Sequence, residues 1–599
     1  MDSTGTAMSR LSKRNCTVHF YWGALPGASG VPEGQSAPAF RKFGLGLPVR
    51  KAGGGAGNHP ASAEYCCMRS RTVSRRHLLE MAASIAPLAL WRSAATRAAP
   101  QSGSVLDLGA REVVERISRG DFTAEIYVAR LLHEYEAHKD LNVANAIDPA
   151  RVLEAARDVD RARARGAVLG PAAGLPFGVK DQIAVAGYPA TAGNGALRGY
   201  IPKRNAPVVE TLVRAGAIPF CMTSLPDMTV VDGLMHQASA HSDSFGAVHN
   251  PYDPRRIPGG SSGGNGAALA ARIVPAALGL DTNGSIRIPS ALCGVTGLRP
   301  STWTIENALR GTRRKRYSDE GVLLPPVGRL DTIGPMARSA ADVAFLDSLI
   351  TGEPVPAVDL RSVRIAVPGP GYWERDPVDP GVAAVIQEVF AKLQSAGCRL
   401  VEIDFNEEVR SIVGVLEQPT LASVIAGAGL DAPLQSPETM AAWLRENAPS
   451  VTVDDMHRGR PRRGGSRPLP PVEEQIAVLN DAARRYAEIY RAHDVVAIAF
   501  PTVPIVATPL HPGGPKEPFG EVITLNGWQF DEGKVLARNL FIAPRMGAAG
   551  LSIPAGLSRG LPVGLELDAL PGNDSALLGL GIAVQQVIGR IPPPSFVGQ

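Results

Sequence analysis

Cysteine is scarce, with six residues in 599: Cys16, Cys66 and Cys67 near the start, and Cys221, Cys293 and Cys398 scattered through the rest. So few and so dispersed a set excludes a disulfide framework and shows no metal-ligand spacing. Long apolar runs are missing as well. The mostly apolar stretch Met81–Leu90 has ten residues, too few to cross a bilayer. No internal repeat is visible. A concentrated excess of one charge is also absent from the body of the chain. The first 100 residues hold 13 Lys/Arg against 4 Asp/Glu, so the overall +4 leaves residues 101–599 at −5. A mildly acidic body without a basic face has little attraction for nucleic acid or anionic lipid. Small-molecule chemistry is the better expectation.

With 45% hydrophobic and 20% charged residues, the chain can bury a large core and should fold as a soluble, enzyme-sized unit. Three segments are expected. Residues 1–67, rich in Gly, Pro, Ser and Ala without sustained apolar periodicity, are read as a non-native or disordered extension, with Met68 as the true start. Residues 68–99 carry Arg75-Arg76, then Met81–Leu90, then the small-residue stretch Ser93–Ala99. This is the layout of a twin-arginine export signal, and it predicts a periplasmic or extracellular protein. The alternative is a buried helix that follows two arginines in a cytoplasmic protein. Residues 100–599 are expected to form the folded body of the protein.

In that body, Val113, Val114 and Ile117 lie on one helical face, Gly120 breaks the pattern, and Ile126, Leu131, Leu132 and Tyr135 mark a second helix. A packed helical pair is expected. Short apolar runs at Pro176–Val179, Ala217–Cys221, Val274–Leu280 and Val495–Phe500 alternate with helical segments at Ala340–Ile350, Val382–Ala396 and Val472–Ala492. Ser339 is a natural N-cap for the first of these helices. The alternation predicts an α/β fold with a large sheet covered by helices on both faces. Arg458–Pro471, basic and proline-rich, is read as a solvated loop.

The densest chemical signal is Pro258-Gly259-Gly260-Ser261-Ser262-Gly263-Gly264, followed 24 residues after Ser261 by Ser285 in Asp281-Thr282-Asn283-Gly284-Ser285-Ile286-Arg287. Two serine-bearing glycine turns thus flank one helix-plus-strand segment. Attack on a carbonyl needs N–H donors already oriented toward the oxyanion, and glycine-rich turns let amides approach a ligand closely. The turn Thr282–Ser285 can supply them. A serine hydroxyl also needs a base, and no histidine lies in these loops. Lys180, at the end of Gly174–Asp181, is a candidate: in a desolvated site flanked by hydroxyls its pKa falls toward neutrality. The other reading of Lys180 is a salt bridge to a carboxylate such as Asp181, and spacing alone does not separate the two.

The block Gly259–Pro300, with Leu175–Asp181, Asn250-Pro251, Gly550–Gly556 and Gly560–Gly564, resembles the amidase signature family over nearly all of residues 105–590. That resemblance implies an α/β/α sandwich and an amidohydrolase acting on non-peptide carboxylic amides. It implies Lys180 as catalytic base, Ser261 as a bridging serine on a cis peptide bond, and Ser285 as the nucleophile forming an acyl-enzyme. It further implies Thr282, Asn283, Gly284 and Ser285 as the oxyanion turn and Ser262, Asp281 and Arg287 as site-shaping residues. No metal or cofactor is called for. The partner is a small-molecule amide, without nucleic acid or stable membrane association, and a homodimer is left open. Two departures stand out: Asn283 replaces a customary glycine and is expected to narrow or polarise the mouth of the site, and Phe541–Met546 replaces a more regular Asn- and Gly-rich pattern.

Gly328–Gly352 resembles the branch of mandelamide and indoleacetamide hydrolases, which suggests aryl-alkyl primary amides. An amidotransferase component is the alternative within the family, and an export signal argues against it. A non-catalytic anion-binding protein is the alternative outside it. Its P-loop version fails because Asn265-Gly266 follows Gly264 where Lys-Ser/Thr is required.

Overall fold

A computed structural model describes residues 104–227, 240–302, 315–323, 330–369, 378–404, most of 441–452, 472–510, 522–525, 528–540 and 542–596. The expectations for residues 1–67, for the export segment 68–99 and for the loop Arg458–Pro471 fall outside the described residues.

The helices that frame the site are α1 (Ala110–Arg119), α2 (Ala124–Ala137), α3 (Pro149–Ala164), α4 (Gly263–Ala270), α5 (Arg287–Cys293), α6 (Ala340–Thr351), α7 (Pro380–Ser395), α8 (Val472–His493), α9 (Ile542–Met546) and α10 (Asp574–Ile588). Local chemistry accounts for several of their ends. Thr123 Oγ1 accepts the N–H of Ile126 at 3.1 Å, and Ser339 Oγ accepts that of Asp342 at 3.1 Å, each satisfying an amide that a helix start leaves without a partner.

The strands are β1 (Ala144–Ile147), β2 (Pro176–Lys180), β3 (Ile218–Thr223), β4 (Ala276–Asp281), β5 (Thr296–Arg299), β6 (Thr332–Ala337), β7 (Arg364–Pro368), β8 (Arg399–Ile403), β9 (Ala497–Pro501), β10 (Ala549–Ser558) and β11 (Leu561–Ala569). They form one mixed sheet in the order β1-β3-β2-β4-β6-β5-β10-β11-β9-β7-β8. β2 runs parallel to both β3 and β4, β4 pairs antiparallel with β6, and β10 and β11 form an antiparallel hairpin. β2 and β4 are buried along their whole lengths, as expected of strands covered on both faces. α4 and α5 pack on one side of this sheet, and α6, α7 and α10 on the other. Among the described residues no helix is long and apolar enough to cross a membrane.

The expected helical pair is corrected in one respect. Both helices form, but α1 lies chiefly against α6 and α2 against α3. An apolar stripe shows which face is buried, not which partner covers it. The face of α2 is also rotated from the expected one: Ala124, Tyr127, Val128 and Leu131 are buried, while Ile126 is 47% exposed.

The segment from Asp281 to Cys293 is wedged between two apolar cores. Ile286 and Cys293 join the larger one with Val179, Leu278 and Leu298, and Ile288 and Leu292 join the second with Ile498, Leu540 and Ile542. Packing from both sides fixes the turn between β4 and α5.

Candidate active site

β2 and β4 are parallel neighbours, so Lys180 and Asp281, at their carboxyl ends, emerge at the same edge of the sheet. That edge is where ligands bind in open α/β sheets. The glycine turn before α4 brings Ser261 to the same place. Lys180 Nζ is 2.7 Å from Ser261 Oγ, and both residues are buried. The Gly260–Ser261 peptide bond is cis. The Ser262 N–H donates to the Ser285 carbonyl at 3.0 Å, which ties the two serine turns together through the backbone. The Ser261 and Ser285 hydroxyls, both among the described residues, are not hydrogen-bonded to each other. Such contacts commonly tighten only when substrate is bound.

The two readings of Lys180 left open by spacing now separate. Asp181 faces elsewhere: its carboxylate accepts Asn145 Nδ2 and the Thr191 N–H, each at 2.8 Å, together with the Thr191 hydroxyl. Burial brings the Lys180 pKa down to about 7, opposed by the negative charges of Asp331 and Asp281. Burial likewise pushes Asp181 up to about 6, against the hydrogen bonds from Asn145 and Thr191.

Asp281 organises the turn that follows it. Its carboxylate accepts the N–H of Gly284 at 2.9 Å and that of Ile286 at 3.0 Å, the amides on either side of Ser285. Arg287 Nε reaches it at 3.1 Å and Arg299 Nη1 at 3.2 Å. Burial would raise the Asp281 pKa, but these two guanidinium groups overcome it and hold the carboxyl well below the usual range. Burial lowers Arg299 to about 10 in spite of Asp281, whereas Arg287 rises against burial because Asp281, Glu566 and Asp568 all face it.

Gly284 has a φ of +112°, and a Cβ there would lie 2.7 Å from Leu540 Cδ1. Only glycine fits this position. Since the Gly284 N–H is taken by Asp281, the amides of the expected oxyanion turn that have no acceptor among the described residues are those of Thr282, Asn283 and Ser285. Ser262 bonds through its hydroxyl to the backbone of Leu280, at 3.3 Å to both its N–H and its carbonyl.

Five further residues around the site carried no assigned role in the sequence reading. Asp331, just before β6, accepts the Thr282 hydroxyl, and Arg299 holds Asp281. Arg545 of α9 donates to Asn283 Oδ1 at 3.2 Å. Its signal was the irregular Phe541–Met546 segment. Glu566 and Asp568 contact Arg287 from β11, and their signal was two acidic residues spaced by two inside the otherwise apolar run Leu561–Ala569.

A family model described as Amidase matches residues 127–578. The chain belongs to the amidase family. This amidase is 30% identical to the indoleacetamide hydrolase of Rhizobium radiobacter over 496 residues, covering 80% of this chain and 96% of that one. It is 31% identical to the mandelamide hydrolase of Pseudomonas putida, covering 77% and 87%. A glutamyl-tRNA(Gln) amidotransferase component from Chloroflexus aggregans is 31% identical, covering 79% and 94%. Among solved structures it resembles the native peptide amidase of Stenotrophomonas maltophilia, with a TM-score of 0.63, 25% identity and coverage of 82% and 99%. These relatives and this site support amide hydrolysis as the activity.

Proposed function

We propose that the amidase cleaves carboxylic amides through a Ser285–Ser261–Lys180 relay. The observation that carries this reading is the buried 2.7 Å contact between Lys180 Nζ and Ser261 Oγ beside the Ser285 turn. A neutral amine accepts the Ser261 proton along the same line. As Ser285 Oγ attacks the amide carbon, its proton passes to Ser261 and that of Ser261 to Lys180. The oxyanion is held by turn amides already oriented toward it. Collapse of the tetrahedral species breaks the C–N bond, and the relay run backward protonates the departing ammonia or amine. Water then enters by the same route and releases the acid from Ser285.

The branch resemblance and the two hydrolase relatives support aryl-alkyl primary amides as the substrate class. Arg75-Arg76 ahead of Met81–Leu90 supports export by the twin-arginine pathway. The test is ammonia release from a panel of primary aryl-alkyl, alkyl and peptide amides, with Ser285→Ala as control. Release from the aryl-alkyl members that Ser285→Ala abolishes is the expected result. Release undiminished in Ser285→Ala would overturn the relay, and a preference for peptide amides would overturn the substrate class.

A further inference from the structure

Behind the nucleophile turn lies a buried charge cluster that the relay does not use. Glu566 and Asp568 stand two residues apart on β11, so they share a face of the strand, and both are closed off from solvent. Arg287 Nη1 lies 3.1 Å from Glu566 Oε1 and 4.0 Å from Asp568 Oδ1. Arg299, from β5, faces Asp281 and acts on Asp568 from farther away. From α8, Tyr486 and Tyr490 adjoin the pair; burial raises both phenols well above their ordinary range, which keeps them neutral. The Tyr490 hydroxyl donates to the Asp568 main-chain carbonyl at 2.8 Å, not to its carboxyl. On β10, Gly550 leaves the room both carboxyls occupy: a Cβ there would sit 2.8 Å from Glu566 Oε1 and 2.9 Å from Asp568 Oδ1.

Three carboxyl groups therefore share one closed volume with two guanidinium groups. Asp281 is ionised and held by both arginines. That leaves a single positive charge to balance Glu566 and Asp568. Glu566 Oε2 and both carboxyl oxygens of Asp568 have no hydrogen-bond donor among the described residues. Two buried anions short of donors and of countercharge are far less stable than one anion and one acid. Burial acts in that direction on both, raising their pKa values.

We propose that Glu566 and Asp568 hold one proton between them and act as a positioning pair, whose single negative charge keeps Arg287 seated on Asp281 and so fixes the turn that carries Ser285. The path is short: Glu566 to Arg287, Arg287 to Asp281, and Asp281 to the amides of Gly284 and Ile286. It rests on the reading of Ser285 as the nucleophile. The proton belongs to the pair and not to either residue alone.

Glu566→Gln, Asp568→Asn and the double variant test it by steady-state kinetics and infrared difference spectroscopy. Each single variant keeps one carboxylate for Arg287 and should lose about threefold in kcat. The double leaves Arg287 without that charge and should lose about 10²-fold in kcat with little change in KM, far beyond the product of the singles. The wild type should show a carboxylic-acid carbonyl band at neutral pH that Glu566→Gln alters. Multiplicative losses, or no such band in the wild type, would overturn the proposal. If the double variant does not fold, the comparison of wild type with Glu566→Gln decides by itself. Labelling of wild-type Ser285 with a fluorophosphonate is read separately, since its failure would refute the nucleophile without touching the infrared result.

Discussion

Replacing Lys180 by methionine should stabilise the protein while abolishing turnover, because the proposed relay needs a lysine where a charge is costly. Lys180 is buried, and its pKa is brought from 10.5 down to about 7. Between those two values the unfolded chain binds a proton that the native state does not, so wild-type stability should rise with pH across that window. Below about pH 7 the full cost of a buried ammonium remains, on the order of 5 kcal/mol. Methionine removes the cost and loses the hydrogen bond to Ser261, worth about 1 kcal/mol. A net gain of about 4 kcal/mol is expected below pH 7, shrinking toward zero near pH 10. In the proposed relay the same burial serves activity, because with its pKa near 7 a substantial share of Lys180 is neutral at pH 7, against roughly one in 3,000 for a lysine at its ordinary value. Denaturation of wild type and Lys180→Met at a fixed scan rate from pH 6 to 10 reads the stability, and ammonia release reads the activity. A variant less stable than wild type at pH 7, or one whose gain ignores pH, would refute the reasoning.

The remaining expectations are independent of that one. Ser261→Ala should cost roughly 10²–10³-fold in kcat, less than Ser285→Ala, since water can bridge part of the gap; equal losses in rate assays would count against a relay. Arg545→Gln should release Asn283 and raise KM about tenfold with a smaller change in kcat, and Asn283→Gly should remove most of that effect; an Arg545 effect that persists undiminished in Asn283→Gly would show that the arginine acts elsewhere. Expressed from Met68 in a bacterium with a working twin-arginine pathway, the protein should leave the cytoplasm and be cleaved between Ala95 and Ala99, and lysine at positions 75 and 76 should trap it inside. An uncleaved cytoplasmic product would contradict export.

What the sequence disclosed depended on how local each feature is. The short apolar runs that became β2, β3, β4 and β9 were visible because a strand buried on both faces needs an unbroken run of such residues. The Ser339 cap was visible because it needs only a hydroxyl at a helix start. The juxtaposition of Lys180 with Ser261 spans 81 residues, and residue spacing alone could not separate it from a salt bridge to Asp181. The contacts of Asp331 with Thr282, Arg545 with Asn283 and Glu566 with Arg287 span 49, 262 and 279 residues. Each joins a polar side chain to a partner that only the sheet order brings near, and no local pattern encodes the pairing. The partners of α1 and α2 were hidden for the same reason.

The central claim is that Ser285 is activated by a neutral Lys180 acting through Ser261. The most direct measurement is the rate of fluorophosphonate labelling against pH, with the labelled peptide mapped by mass spectrometry in wild type, Lys180→Ala and Lys180→Arg. The label should fall on Ser285 at a rate that rises with pH to half its maximum near 7. In both variants that limb should vanish and the rate fall at least roughly 10²-fold, since a guanidinium does not surrender its proton in this range. Label on another residue, or Lys180→Arg labelled as fast as wild type with the same pH profile in a folded protein, would contradict the Ser-Ser-Lys mechanism.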